Sequence, residues 1–223
     1  MARESYQEKL ETLQADVLYM SEVVLDRLRK GLEALDSKDE DLAWAVIDGD
    51  NEVNQMYLDL EQQCIDLLAL QQPVASDLRF IAASFKIITD LERIADLATN
   101  LGDYTLQAER DVFPEVDAQS IGRYTLEMVE DAMDAYAHED PEACRLVANR
   151  DDELDGRCER ASQLVVRDLI ETELDDGAHV ETLLTDVSRL LLTIRDLERV
   201  GDHAVNIAAR TLYMVENSDE LIY

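Results

Sequence analysis

Glycine and proline are scarce in this chain, with seven Gly and three Pro among 223 residues. A sheet-rich fold needs turns at short intervals, and the apolar residues recur at helical rather than alternating spacing, so an all-α fold is expected. Three cysteines, Cys64, Cys144 and Cys158, form an odd set without metal-type spacing. None is needed for a disulfide framework and they suit a reducing cytosol, and Cys64 and Cys158 fall on apolar stripes as small core residues. No run of about 18 apolar residues is present and the segment Met1 to Leu10 is charged, so neither a membrane span nor a signal peptide is expected. Any contact with a membrane must then come through a partner.

Positive charge is equally scarce. The chain carries 20 basic against 51 acidic residues, a formal net charge of −31. Binding to a phosphate backbone needs clustered Lys and Arg to displace counterions, so neither DNA nor RNA is an expected partner. Only Lys9, Lys30, Lys38 and Lys86 among the basic residues are lysines. The acidic residues are interleaved with apolar periodicity throughout, which separates them from a disordered acidic tail. Such a composition resembles that of haloarchaeal proteins and implies a salt-rich cytoplasm, where screening over a few ångströms makes self-repulsion tolerable.

What the chain does contain is helical pattern. Leu10, Leu13, Val17, Met20, Val24 and Leu28 predict a first helix from about Glu4 to Leu35. Ser37 and Glu40 read as a capping box opening a second helix, which runs to about Leu70 on Val46, Val53, Tyr57, Leu60, Cys64 and Leu67. Pro73 ends it and begins a third, reaching about Glu109. Val112-Phe113-Pro114-Glu115 reads as a linker, with Pro114 starting a fourth helix that ends near His138. Asp140 and Pro141 are an N-cap and first-turn pair opening a fifth, which continues to about Glu171. After the turn Leu174-Asp175-Asp176-Gly177, a sixth runs from about Ala178 to Glu216. The order is three helices, twice: two tandem three-helix bundles over residues 1–112 and 113–223, with short connections making neighbours antiparallel.

The halves repeat each other in sequence. Asp90-Leu91-Glu92-Arg93-Ile94-Ala95-Asp96-Leu97-Ala98-Thr99-Asn100 returns as Asp196-Leu197-Glu198-Arg199-Val200-Gly201-Asp202-His203-Ala204-Val205-Asn206, identical at seven of eleven positions. Ala34, Asp39, Val46, Asp50 and Glu52 match Ala135, Asp140, Val147, Asp151 and Glu153 at a constant offset of 101, while the long motif repeats at 106. About five extra residues therefore sit between the fifth and sixth helices, at the Asp-Asp-Gly turn. Ala95 and Gly201 are small where a neighbouring helix could approach closely.

On a helical wheel, Ser84, Ile88, Leu91, Ala95 and Ala98 form an apolar stripe with Glu92, Asp96 and Asn100 along its flank; Glu198, Asp202 and Asn206 repeat that flank. Asp50 and Asn54 lie beside Val53, and Asp151 and Asp155 beside Leu154, whereas Asp48 and Glu52 point outward. Asp50 and Asn54 can face Glu92 and Asp96 across a groove, and Asp151 and Asp155 can face Glu198 and Asp202. Facing carboxylates repel unless protonated, paired with Arg or bridged by a cation, and oxygen-rich sites suit hard or borderline metals. The competing account has Arg93 and Arg199 neutralising these acids in surface ion pairs.

These segments resemble the PhoU family of phosphate-uptake regulators. The resemblance rests on both Asp-Leu-Glu-Arg-x-x-Asp segments, on Gln72-Pro73-Val74-Ala75-Ser76-Asp77-Leu78-Arg79, and on Val46-Ile47-Asp48-Gly49-Asp50 with Asn54, and it spans essentially the whole chain. It implies a non-enzymatic, cytoplasmic regulator that restrains a high-affinity phosphate ABC importer when phosphate is plentiful. Where a sensor kinase exists, it would relay that state to the kinase. The protein would sit at the membrane only through the importer, and a homodimer is compatible with the reading. The resemblance also implies metal clusters, commonly iron, held by acidic pairs. By position the ligands are Asp50, Glu92 and Asp96 in the first site and Asp151, Asp155, Glu198 and Asp202 in the second. Asn54 is neutral where Asp155 is charged, so weaker metal binding is expected at the first site.

Asp77 and Arg79 are expected to cap the third helix, or to serve an asymmetric partner contact, since Leu183 and Thr185 replace them in the copy. His203 faces away from the carboxylate flank and is expected at a surface or interface. No Gly-rich phosphate cradle or Ser, His and Asp set is recognisable. A ferritin-like di-iron enzyme needs Glu-x-x-His, but Ala135, Asp176 and Val200 stand three before His138, His179 and His203. A metal-binding helical scaffold unconnected with phosphate is the alternative of another class.

Overall fold

The structure, a computed structural model, describes residues 2–70, 73–107, 116–171 and 177–222. All regular structure among them is helical: α1 (Ala2–Ser37), α2 (Glu40–Asp48), α3 (Asp50–Leu70), α4 (Ala75–Leu106), α5 (Ala118–His138), α6 (Pro141–Asn149), α7 (Asp151–Glu171) and α8 (Gly177–Glu216). The expected linker at 112–115 and the turn at 174–176 lie outside the described residues, as does the boundary between residues 112 and 113. In the first half α1, α3 and α4 pack on one another with α2 against α1 and α4; in the second, α5, α7 and α8 do so with α6 against α8 and α5.

The seam that predicted α1 is its buried face: Leu13, Val17, Met20, Val24 and Leu28 are fully covered. Cys64 and Cys158 are buried as expected, and so is Cys144. The two bundles do not close separately. Long helices α4 and α8 pack against each other, α1 meets α5, and one apolar cluster runs from Leu28 and Leu91 through to Met128 and Leu197. Tyr136 is wholly buried at this junction, 2.8 Å from the Ser84 hydroxyl and stacked on Phe80. Since Ser84 donates to the carbonyl of Phe80, the Tyr136 hydroxyl is the donor between them.

Helix ends differ from the sequence expectations in two respects. Ser37 is the last residue of α1 and donates back to Glu33, so it opens no capping box. Asp39 caps α2 instead, accepting from the amide of Leu42, while Lys38 turns the chain at φ 54°. Asp140 caps α6 in the same way after Glu139 at φ 52°, and Pro141 opens that helix as expected. Asp117 caps α5, which starts at Ala118 rather than Pro114.

The expected second and fifth helices are each broken once, at Gly49 and Arg150, which stand at the same place in the two halves. Both residues keep near-helical dihedrals. The break makes Asp50 and Asp151 the first residues of α3 and α7, while the amides of Glu52 and Leu154 still bond across it to the carbonyls of Gly49 and Arg150.

Candidate functional site

Each repeat of the acidic motif lies on a long helix packed against the helix that starts with an aspartate. The close approach expected at the small residues is present: a Cβ on Gly201 would come within 2.0 Å of Leu154 Cδ2. In the first half the same two positions hold Ala95 and Val53, both buried. A large-with-small pair in one half answers a medium-sized pair in the other, and both bring the carboxylate flanks together.

In the first half, Asp50 accepts from Asn54 Nδ2 at 2.7 Å and from the Thr99 hydroxyl at 3.3 Å. The group that organises this cluster is Arg27 of α1, only 5% exposed. Its Nη2 donates to the Val46 carbonyl at 2.7 Å and to Thr99 Oγ1 at 3.2 Å, and lies 3.7 Å from Asp50 Oδ1. The guanidinium occupies the space left by Gly49, where a Cβ would meet Nη1 at 2.3 Å. Burial pulls the Arg27 pKa down, resisted by Asp50, Glu52 and Asp96. Asp96 is raised by burial and by Asp50, with Arg27 opposing; Glu92 is raised by burial and by Asp96. Asp50, Asp96, Thr99 and Asn100 line an open cleft of about 300 Å³ with Arg93 and Arg199 at its rim.

The second cluster has the carboxylates without the arginine. Asp151 is pushed from its ordinary 3.8 up to about 6 by burial, then by Asp155, Asp202 and Asp152. Glu198 is raised by burial and by Asp155, Asp202 and Asp151; Asp202 by burial and Asp155, with His203 and Arg199 opposing. Burial and the nearby Glu198, Asp155 and Asp202 lift the Cys158 thiol to about 12, which keeps it protonated. Oδ1 of Asp151 is buried without a hydrogen-bond partner. Among the described residues no basic side chain stands within ion-pair distance of Asp151, Asp155, Glu198 or Asp202.

The structure thus gathers the seven expected residues into two clusters, each with partners from two helices. It does so loosely. Among the described residues no three His, Cys, Asp or Glu side chains converge closely enough to hold a metal ion. A cation would have to draw the acids together by side-chain rotation.

Arg93 and Arg199 do not neutralise these acids by direct pairing: Arg199 reaches Asp196, at 3.9 Å, and Arg93 forms no ion pair among the described residues. The motif asparagines also turn elsewhere. Asn100 donates to Asp196 at 3.0 Å and Asn206 to Asp90 at 3.5 Å, so each half's first motif aspartate is held by the other half's last asparagine. Tyr104 adds a 2.8 Å bond to Asp196, and His203, expected at a surface or interface, is instead buried in the junction between the halves, 2.9 Å from Asp90. Val74 stands at the N-cap of α4 without a side-chain cap bond, Asp77 lies in the first turn, and Arg79 donates to the Met214 carbonyl, tying α4 to the end of α8.

Arg27 was absent from the sequence reading of the site, although a signal existed. It follows Met20 by one heptad on the buried seam of α1, and an arginine on a core position demands a buried acceptor. Its counterpart at the offset of 101 is Met128.

Comparison with known proteins gives a consistent picture. The model of the PhoU domain matches twice, over residues 17–105 and 118–211. The chain is 32% identical over 213 residues to the phosphate-specific transport system accessory protein PhoU of Escherichia coli (strain K12), covering 95% of this chain and 85% of that one. It is 30% identical over 220 residues to the homologue from Clostridium acetobutylicum, covering 96% of each. The crystal structure of PhoU from Pseudomonas aeruginosa superposes with a TM-score of 0.88 at 31% identity, over 96% of this chain and 100% of that one. The phosphate transport system regulatory protein PhoU from Streptococcus pneumoniae gives 0.86 at 27%, over 96% and 98%.

Proposed function

The chain belongs to the PhoU family, and on that premise we propose that it is an accessory and regulatory protein of a phosphate-specific transport system. The observation that carries the proposal is the double match of the PhoU domain, one copy per half, together with relatives of that name aligned along nearly the whole chain. In the finer reading it restrains a high-affinity phosphate ABC importer when phosphate is plentiful and, where a sensor kinase exists, relays that state to it. It acts by binding, not by catalysis. No described helix is long and apolar enough to cross a membrane, so contact with a membrane importer would be through that importer's own subunits, from the cytoplasm. The acidic surface suits a basic docking face on the partner.

The carboxylate clusters are proposed as cation sites within this function. Asp151, Asp155, Glu198 and Asp202 fit a hard or borderline divalent ion best, because they bring four acids and an unpartnered buried oxygen together, and among the described residues no basic side chain pairs with them. Asp50, Glu92 and Asp96 are the corresponding set in the first half. A bound cation, iron included, would supply positive charge that fixes the helix opening on the aspartate against the long one. The charge of −31 accords with a salt-rich interior.

The test is affinity isolation of the intact protein from its own cells grown with and without phosphate. Recovery of importer subunits in the phosphate-replete sample supports the proposal, together with unrestrained phosphate uptake when the gene is deleted. Absence of importer subunits in both samples and unchanged uptake would overturn it.

A further inference from the structure

The two clusters are copies in their acids and opposites in what surrounds them. At three positions the repeat loses the guanidinium and the groups that hold it: Arg27 becomes Met128, Thr99 becomes Val205, and Gly49, which makes room for the guanidinium, becomes Arg150. Arg150 keeps its charge outside the cluster, paired with Glu127 and Asp131 and lying 4.4 Å over the Tyr124 ring. Met128 is fully buried, its methyl 3.8 Å from the Cβ position of Gly201. The first half therefore sets Asp50 and Asp96 against a built-in guanidinium, whereas among the described residues no basic side chain pairs with any of the four carboxylates of the second.

We infer that Arg27 takes the place of a metal ion in the first cluster, so that this protein loads cations from one side only, at Asp151, Asp155, Glu198 and Asp202. The inference rests on the cation reading of the clusters and goes beyond it by naming the residue that closes one of them. The physical argument is exclusion. The guanidinium is held among the acids by Val46, Thr99 and Asp50 and is almost fully buried there. A divalent ion beside it would face a fixed positive charge a few ångströms away and only the acids that Arg27 leaves uncompensated. In the second half the unpartnered Asp151 oxygen is a waiting acceptor.

The experiment is titration of the intact, chelator-stripped protein with Mn²⁺, counting free ion by electron paramagnetic resonance. In the wild type, Glu198→Gln with Asp202→Asn should weaken binding about tenfold or more, whereas Glu92→Gln with Asp96→Asn should leave it within about twofold. Arg27→Met should add a second class of sites, which Glu92→Gln with Asp96→Asn then removes. Equal loss from either double variant in the wild type means that both clusters load, which overturns the inference and leaves the cation reading standing. Arg27→Met that folds and gains no site also overturns it. No binding in any variant refutes the cation reading itself. Should Arg27→Met fail to fold, the wild-type comparison of the two double variants still decides.

Discussion

Nδ1 of His203 on α8 lies 2.9 Å from Oδ1 of Asp90 on α4, a contact between the two halves in which both residues are almost fully buried. Its counterpart pairing is different: Asp196 meets Tyr104 and Asn100, and the residue at the position of His203 in the first repeat is Leu97. The junction is symmetrical in its aspartates and asymmetrical in what holds them.

His203→Leu, which copies Leu97, leaves a buried carboxylate with, among the described residues, only the 3.5 Å contact to Asn206. It should destabilise the protein by about 3 kcal/mol. Combining it with Asp90→Asn should cost less than the two single changes added together. Urea unfolding of the four proteins measures the coupling, and strict additivity would show that the contact contributes nothing.

Gly201→Ala forces a methyl group against Leu154 Cδ2 and should cost about 1–3 kcal/mol. Leu154→Val alone removes a methylene from a full core and should cost about 1 kcal/mol. Together they recreate the Val53 and Ala95 pair of the first half, so the double variant should be more stable than Gly201→Ala alone. Thermal melts decide this, and a double variant that is the least stable of the set would refute the account of the close approach.

Asp151 binds its proton more tightly folded than unfolded, since its pKa rises to about 6 from 3.8. The stability from that proton is complete below the unfolded value and is lost as pH climbs through about 6. In metal-free protein, Asp151→Asn should therefore gain on the wild type between about pH 4 and pH 8. Denaturation in chelator at both ends of this window gives the sign, and a difference that is flat or reversed refutes it. In the same window metal affinity should rise with pH, because protons and cations compete for this oxygen.

The melting temperature should rise as potassium chloride is added, because a net charge of −31 repels itself. Each kcal/mol of repulsion relieved raises it by about 2–4 °C for a chain of this size. Millimolar divalent ion should exceed the effect of the same ionic strength of monovalent salt, by binding the native state. Circular dichroism melts across a desalting series measure both, and curves indifferent to both would show that neither surface charge nor the carboxylate clusters matter in the way described.

The all-α class, the repeat, and the flanks carrying Asp50, Glu92, Asp96, Asp151, Asp155, Glu198 and Asp202 were legible in the sequence. Helical spacing is a local property, and a period of 3.6 fixes which residues share a face whatever lies opposite. The cap at Asp39 in place of Ser37, and the breaks at Gly49 and Arg150, were harder to read, because Ser37 satisfies the capping pattern and an apolar stripe can run on through a helix break. What crosses from one helix to another only the tertiary structure decided. It set Arg27 among the acids of the first half, Met128 in the same place in the second, and the asparagines on the opposite half's aspartates. The reason is that a buried charge takes its meaning from the groups that replace its water, and those groups come from parts of the chain that periodicity does not connect.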